Sequence, residues 1–334
     1  MTPMRELLEP ATSRSATPPA LAAQRRAARV DLAVEIAVTA AGVAGVVLLG
    51  LVIVFVVRGA LPLALDPQQR AQVSLDALLL PQPGRAGAAL LWSPTARVPR
   101  VSLWPLLAGT LKVAGVALAV AAPLGVAAAL FTSEFAPGRV RTWVKPAIEL
   151  LAGIPSVLLG SFALLTLATA LQSAFGFDFR LNALVAGLAL ALAVVPLIFT
   201  LTDDALRAVP PAYREAALAL GATRWETAFH VVLPAAAPGV LGALVLGVGR
   251  AVGETMIVLM ASGNAAMVSA NLAEPTRTVA ATIAAELGDV VMGSTHASLL
   301  FLLGAALFGF TLTLNVTAGA WVRRRLARQA GGTP

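Results

Sequence analysis

The sequence predicts an all-α integral membrane fold with six transmembrane helices. Three observations carry that expectation. Of 334 residues, 58% are hydrophobic and 12% are charged, about half the charged share of roughly 25% usual in a soluble domain. Six apolar runs recur, each long enough to cross a bilayer core. One polar segment, 215–234, stands between two of those runs and is written like two short helices.

The elements follow in chain order. Residues 1–34 are polar, with Pro, Ser and Arg, and read as a disordered tail that is too long and too broken to be the n-region of a signal peptide. The uncharged run 36–57 is the first span. Residues 58–103 carry Pro, Gln, Arg and Asp and read as a long extramembrane loop without a clear motif, so 35–103 groups as first helix plus loop. Further spans are expected at about 104–131, 146–172, 182–203, 236–260 and 297–321. They make 104–322 the helical core, with a polar loop at about 204–235, and leave 323–334 as a C-terminal tail. Within 261–296, Thr278 to Leu287 is mildly amphipathic and ends at Gly288; it reads either as a short helix at the outer mouth or as ordinary connecting loop.

Arginine and lysine set the orientation. With both termini inside, the inner segments hold fifteen of these residues and the outer segments seven, and Arg323-Arg324-Arg325 after the last span is the cleanest anchor. This places both termini and the 215–234 loop in the cytoplasm.

The polar loop has its own grammar. Pro210 and Pro211 stop what precedes, Tyr213 to Leu220 are strong helix formers, and Gly221 suits a helix C-cap. Thr223 and Glu226 have the spacing of a capping box, and Leu233-Pro234 closes the unit. A loop with two capped helices is built to dock something.

Several chemistries are excluded. There is no cysteine, so neither disulfides nor thiolate metal sites are possible, and His230 and His296 are the only histidines. No Gly-x-x-x-x-Gly-Lys-Ser/Thr motif surrounds Lys112 or Lys145, so any ATP chemistry belongs to another subunit. No cofactor is expected on this chain. The net charge of +7 does not point to nucleic acid, because the arginines are spread over loop ends and a single tyrosine is present to stack bases.

Ionisable groups inside spans are costly and mark functional candidates. Arg250 and Glu254, in Gly249 to Thr255, are spaced i and i+4 and would share a helical face. The pair is either self-neutralised and structural or a station for an anion. Counted from residue 236, Arg250 lies roughly 21 Å into the span. Lys112 lies at a comparable depth and either snorkels outward or shares that anion route. Glu149 reads as the i,i+4 partner of Lys145.

The loop's fixed positions carry a resemblance. Glu215-Ala216-Ala217, Gly221, Val231 and Leu233-Pro234 have the spacing of the cytoplasmic signature loop of ABC-importer permeases, with Val231 where that family commonly has Ile. Together with the 249–255 segment, the stretches 131–146, 146–164 and 271–288 are similar to permease subunits of the high-affinity phosphate importer. The last of these looks more like the PstC type than its PstA partner. The resemblance covers about 104–321 and says little of 1–34 or 58–103.

It implies a six-helix permease of the bacterial inner membrane whose cytoplasmic coupling helices dock an ATPase. It further implies a second homologous permease (PstA type), two ATP-binding subunits (PstB type) and a periplasmic phosphate-binding protein (PstS type). Arg250, Glu254, Thr255 and Lys112 would line the path for inorganic phosphate. A guanidinium can grip an oxyanion bidentately, and a nearby carboxylate would favour phosphate, which keeps a proton, over fully ionised sulfate. Another oxyanion such as molybdate or sulfate, or a membrane sensor or scaffold without transport, stays open at this point.

Overall fold

The computed structural model describes residues 18–73, 75–80, 82–84, 87–96 and 100–329. The chain forms two compact units, one up to Phe55 and one from Val56 onward. Helix α1 (Pro18–Ala60) supplies the first. The expected tail 1–34 lies outside the described residues up to 17; from Pro18 it is helical, contrary to expectation. The reason is local: Pro18 and Pro19 sit in the first turn, where a missing N–H costs nothing, and Ala, Leu, Gln and Arg follow. From Val30 to Phe55 nearly all the large apolar side chains of α1 are exposed.

In the second unit the 58–103 loop is a folded cap. Short helices α2 (Pro62–Leu65), α3 (Pro67–Gln72) and α4 (Leu75–Leu79) precede two antiparallel hairpins, β1 (Gln82–Gly84) with β2 (Gly87–Ala89), and β3 (Trp92–Ser93) with β4 (Arg100–Val101). Gln82 pairs with Ala89 and Trp92 with Val101. Val73, Leu78, Trp92 and Val101 form one buried cluster with Val279, Leu299, Leu300 and Leu303. That cluster also draws in α14 (Val279–Glu286) and the start of the last helix, α15 (Thr295–Gln329). The short helix expected near 278–287 is α14; Thr278 caps it, accepting from the Ala281 N–H at 3.2 Å, and its first turn is buried.

The core is the pairing of α5 (Trp104–Leu130) with α9 (Ala183–Arg207). Glycines let the backbones approach: a Cβ on Gly187 would stand 2.5 Å from Val116, and one on Gly125 would stand 2.9 Å from Ile198. Gly109 of α5 is tighter still, because a Cβ there would overlap the backbone oxygen of Arg277. Gly109→Ala is therefore expected to destabilise the chain by about 1–3 kcal/mol, seen as a lower thermal midpoint of the detergent-purified protein.

Two expected spans are corrected. The run 146–172 is not one helix. Helix α6 (Gly138–Ala152) ends at Gly153, and α7 (Ser156–Phe162), a π-helical turn (Ala163–Leu167) and α8 (Ala168–Phe175) follow as the span Ser156–Phe175. Pro155 has no N–H and forces the preceding residue from the helical region, so Ile154 is the break. The fifth span also differs. It begins in the polar loop, at α11 (Arg224–Glu226), and runs through a π-helical turn (Thr227–Val232) into α12 (Leu233–Gly253). Leu233-Pro234 therefore lies inside a continuous helix; the wider π turn accommodates the proline ring, which would otherwise strike the carbonyl four residues back. Beyond Gly253 the backbone is extended at Glu254 (φ −69°, ψ 132°), and α13 (Met256–Ala261) is a separate helix packed on Gly160 of α7.

Among the described residues, six apolar helices are long enough to cross a membrane: Val30–Leu65, Trp104–Phe135, Ser156–Phe175, Ala183–Arg207, Arg224–Gly253 and Thr295–Val322. The expected C-terminal tail 323–334 continues α15 to Gln329, and the rest lies outside the described residues.

Candidate functional site

The polar loop folds as its local signals require. Helix α10 (Pro211–Ala219) has Pro211 in its first turn. It ends in a Schellman motif: the Gly221 N–H donates to the Leu218 oxygen at 3.0 Å and the Ala222 N–H to the Ala217 oxygen at 3.1 Å. Gly221 has φ +87°, the left-handed conformation that glycine adopts without cost. Across the turn, the Thr223 hydroxyl accepts from the Glu226 N–H at 3.2 Å, while Glu226 Oε2 accepts from the Thr223 N–H at 2.8 Å, a complete capping box. Glu215 and Ala216 are exposed and Ala217 is buried. Large apolar side chains ring the loop's surface, with Leu220 at 89% exposure and Tyr213, Leu218 and Trp225 about half exposed or more.

Two features tie this loop to the helices, and neither was foreseen. The Arg214 guanidinium donates to both oxygens of Glu134, from Nε at 3.0 Å and Nη2 at 2.8 Å. It also donates from Nη2 to the Leu206 carbonyl at 2.9 Å and from Nη1 to the Val209 carbonyl at 2.8 Å. The hydrogen bond to Glu134 raises the Arg214 pKa above the usual guanidinium value. Beside it, the Trp225 ring packs on Phe229 and Phe135, at centroid distances of 4.1 and 5.8 Å. A second cluster joins α6 to the end of α9. Asp203, fully buried, accepts from Arg207 at 2.7 Å and Lys145 at 3.4 Å, and Lys145 also reaches Asp204 at 3.3 Å and Glu149 at 3.9 Å. The i,i+4 pairing of Lys145 with Glu149 is thus present but is the longest of the four. The i,i+4 spacing of Asp203 and Arg207 was a usable sequence signal for this cluster.

The Arg250–Glu254 reading needs correction. The helix stops at Gly253, between them, so they do not share a helical face, and among the described residues no ion pair joins them. Arg250 is exposed in the last turn of α12, where a cation suits the negative end of the helix dipole. Glu254 instead accepts at Oε1 from the Ile257 N–H at 3.5 Å, at the start of α13. Thr255 is the residue preceding that helix. The counting of depth from 236 also shifts, since the apolar span ends three residues past Arg250. Lys112 does not point away freely; its Nζ donates to the Asn271 carbonyl at 2.8 Å, in the segment between α13 and α14.

At the opposite end of α5, Glu286 gathers a third polar cluster. It accepts from Arg277 at 2.6 Å and from the Trp92 indole at 3.2 Å, and it faces His296 Nε2 at 2.8 Å. It fastens the cap to α14 and α15.

Comparison with known proteins places this architecture. Residues 121–328 match the family described as binding-protein-dependent transport system inner membrane component. The phosphate transport system permease protein PstC 1 of Mycobacterium tuberculosis is 39% identical over 242 residues, covering 66% of this chain and 72% of that protein. PstC of Xylella fastidiosa is 36% identical, covering 67% and 74%, and the probable ABC transporter permease YqgH of Bacillus subtilis is 36% identical, covering 66% and 71%. Among solved structures, an inward-facing MetNI methionine ABC transporter chain superposes with a TM-score of 0.51 at 18% identity, covering 66% of this chain and 96% of that one, which is a likeness of fold. With six apolar helices among the described residues and a family match over most of its length, the chain is a multi-pass inner membrane protein of the binding-protein-dependent transport permease family.

Proposed function

We propose that this chain is a permease subunit of an ATP-driven importer of inorganic phosphate. The observation that carries the reading is the run of relatives at 34–39% identity over about two thirds of the chain that are named as phosphate permeases. The capped loop with its exposed Leu220, Tyr213 and Trp225 fits a docking face for an ATPase subunit. In this reading both termini and the loop face the cytoplasm, and the cap at 62–101 faces the periplasm. The chain forms the translocation path with a second permease of PstA type. Two PstB-type ATPases supply the energy and a PstS-type binding protein delivers phosphate, while this chain itself carries no cofactor. Arg250 is the anion station, with Glu254, Thr255 and Lys112 near its route.

The test is uptake of radiolabelled phosphate into vesicles holding the complete complex, with sulfate and molybdate as competitors. Phosphate uptake that excess sulfate and molybdate leave intact is expected; uptake of another oxyanion in preference would replace the substrate. An assembled complex that moves none would leave a sensor or scaffold. The chain purified alone is expected to hydrolyse no ATP above an empty-vector preparation, because it has no phosphate-cradling Gly-Lys motif.

A further inference from the structure

Arg214 uses four hydrogen bonds to hold three parts of the chain at one point. It stands on α10, caps the Leu206 carbonyl in the last turn of α9 and the Val209 carbonyl just beyond it, and grips Glu134 bidentately. Only a guanidinium can do this: its planar fork offers five N–H donors in fixed directions, where an ammonium offers three on a flexible stem. Both partners are largely withdrawn from solvent, Arg214 at 24% and Glu134 at 10% side-chain exposure. Neither can leave without stranding a charge.

Glu134 is not on regular helix. It lies in the π-helical turn Phe131–Phe135 that ends the second span, closed by the Ala136 N–H to the Phe131 oxygen at 2.8 Å, an i to i+5 bond. A π turn holds one residue more than an α turn and can shed or take up that residue as the helix shifts register. The neighbouring residue of the same turn, Phe135, meets Trp225 of α11. The fifth span likewise carries a π turn near its start, Thr227–Val232, directly after α11. The polar loop is therefore held on both sides at the deformable ends of two membrane spans.

We propose that Glu134 and Arg214 are positioning residues that transmit movement of the polar loop to the second and fourth spans. The inference rests on the permease reading above. When the loop is displaced, the bidentate pair pulls on the π turn rather than on the regular α-helix of α5, while the bonds to Leu206 and to Val209 just beyond it carry the same displacement to the end of α9.

The experiment uses the complete complex in vesicles and measures phosphate uptake and ATP hydrolysis together. Glu134→Gln, Arg214→Lys and the double variant are compared with wild type, and thermal midpoint and co-purification of the ATPase report on assembly. Arg214→Lys keeps the charge and loses the fork. Each single variant is expected to assemble and to hydrolyse ATP, with phosphate moved per ATP reduced on the order of tenfold. The double variant is expected to be no worse than either single one, because both remove the same link. Because the chain has no cysteine, Glu134→Cys with Arg214→Cys offers a second route. A thiol crosslinker of side-chain length is expected to restore uptake per ATP in that pair. Wild-type uptake per ATP in the single variants, or additive losses in the double, would overturn the proposal. So would a crosslinked pair that assembles and stays uncoupled. A wild-type complex that moves no phosphate would instead defeat the permease reading.

Discussion

Arg250→Gln is expected to reduce phosphate uptake by roughly 100-fold or more, the scale of losing a charge-assisted contact to a desolvated partner, while the complex assembles normally. The structure separates the two outcomes. Arg250 is exposed in the single chain, and no ion pair holds it among the described residues. A Cβ on neighbouring Gly249 or Gly253 would meet nothing within 4 Å. Removing such a side chain costs the fold only a few tenths of a kcal/mol, the worth of a cation at a helix C-terminus plus the usual surface effect. Loss of uptake then reports on the anion and not on folding. Since Glu254 does not neutralise Arg250 through a shared helical face, the two substitutions are expected to act separately. Glu254→Gln is expected to admit sulfate or molybdate better relative to phosphate, with uptake retained. Competition assays on the two variants check both, and wild-type uptake by an assembled Arg250→Gln complex would remove Arg250 from the path.

Gly221→Val is expected to uncouple the machine. A Cβ on Gly221 would meet nothing within 4 Å, so space is not the obstacle. The obstacle is φ +87°, where a β-branched residue is strained by about 1–3 kcal/mol. That strain falls on the turn between the Schellman motif and the capping box, and relieving it breaks the bonds from Gly221 and Ala222 to Leu218 and Ala217. Losses of roughly 5- to 150-fold in coupling correspond to that energy. Gly221→Asn is the control, because asparagine tolerates the left-handed region. Valine with wild-type ATPase co-purification and wild-type uptake would show that the turn does not govern coupling.

What the sequence disclosed follows from how far apart the interacting groups lie. Gly221 and the Thr223–Glu226 box were legible because a cap is written within three or four residues. The six spans were legible because a bilayer demands a long apolar run whatever packs beside it. The same averaging hid the breaks: 146–172 and 236–260 are apolar enough to read as single helices, although Pro155 and Gly253 stand in plain view. The pairing of Arg250 with Glu254 assumed helix continuity across Gly253, and one extended residue undid it. Glu134 with Arg214, 80 residues apart, and Trp92 with Glu286, 194 apart, depend on tertiary approach that no local pattern encodes.

The cap's buried cluster has a consequence for the order in which the protein is made. Val73, Leu78, Trp92 and Val101 meet Leu106 early, but their cluster is complete only with Val279, Leu299, Leu300 and Leu303. At synthesis rates of about 5–20 residues per second, the roughly 200 residues between these groups take on the order of 10–40 seconds to emerge. On the proposed orientation, Trp92 and Val101 of the β3–β4 hairpin wait across the membrane with their apolar side chains open until the ribosome has delivered α15. Insertion of α15 is thus the closing event of the nascent chain's biogenesis, and an early stop before residue 299 leaves the four intervening spans threaded beneath an unsealed, aggregation-prone ectodomain.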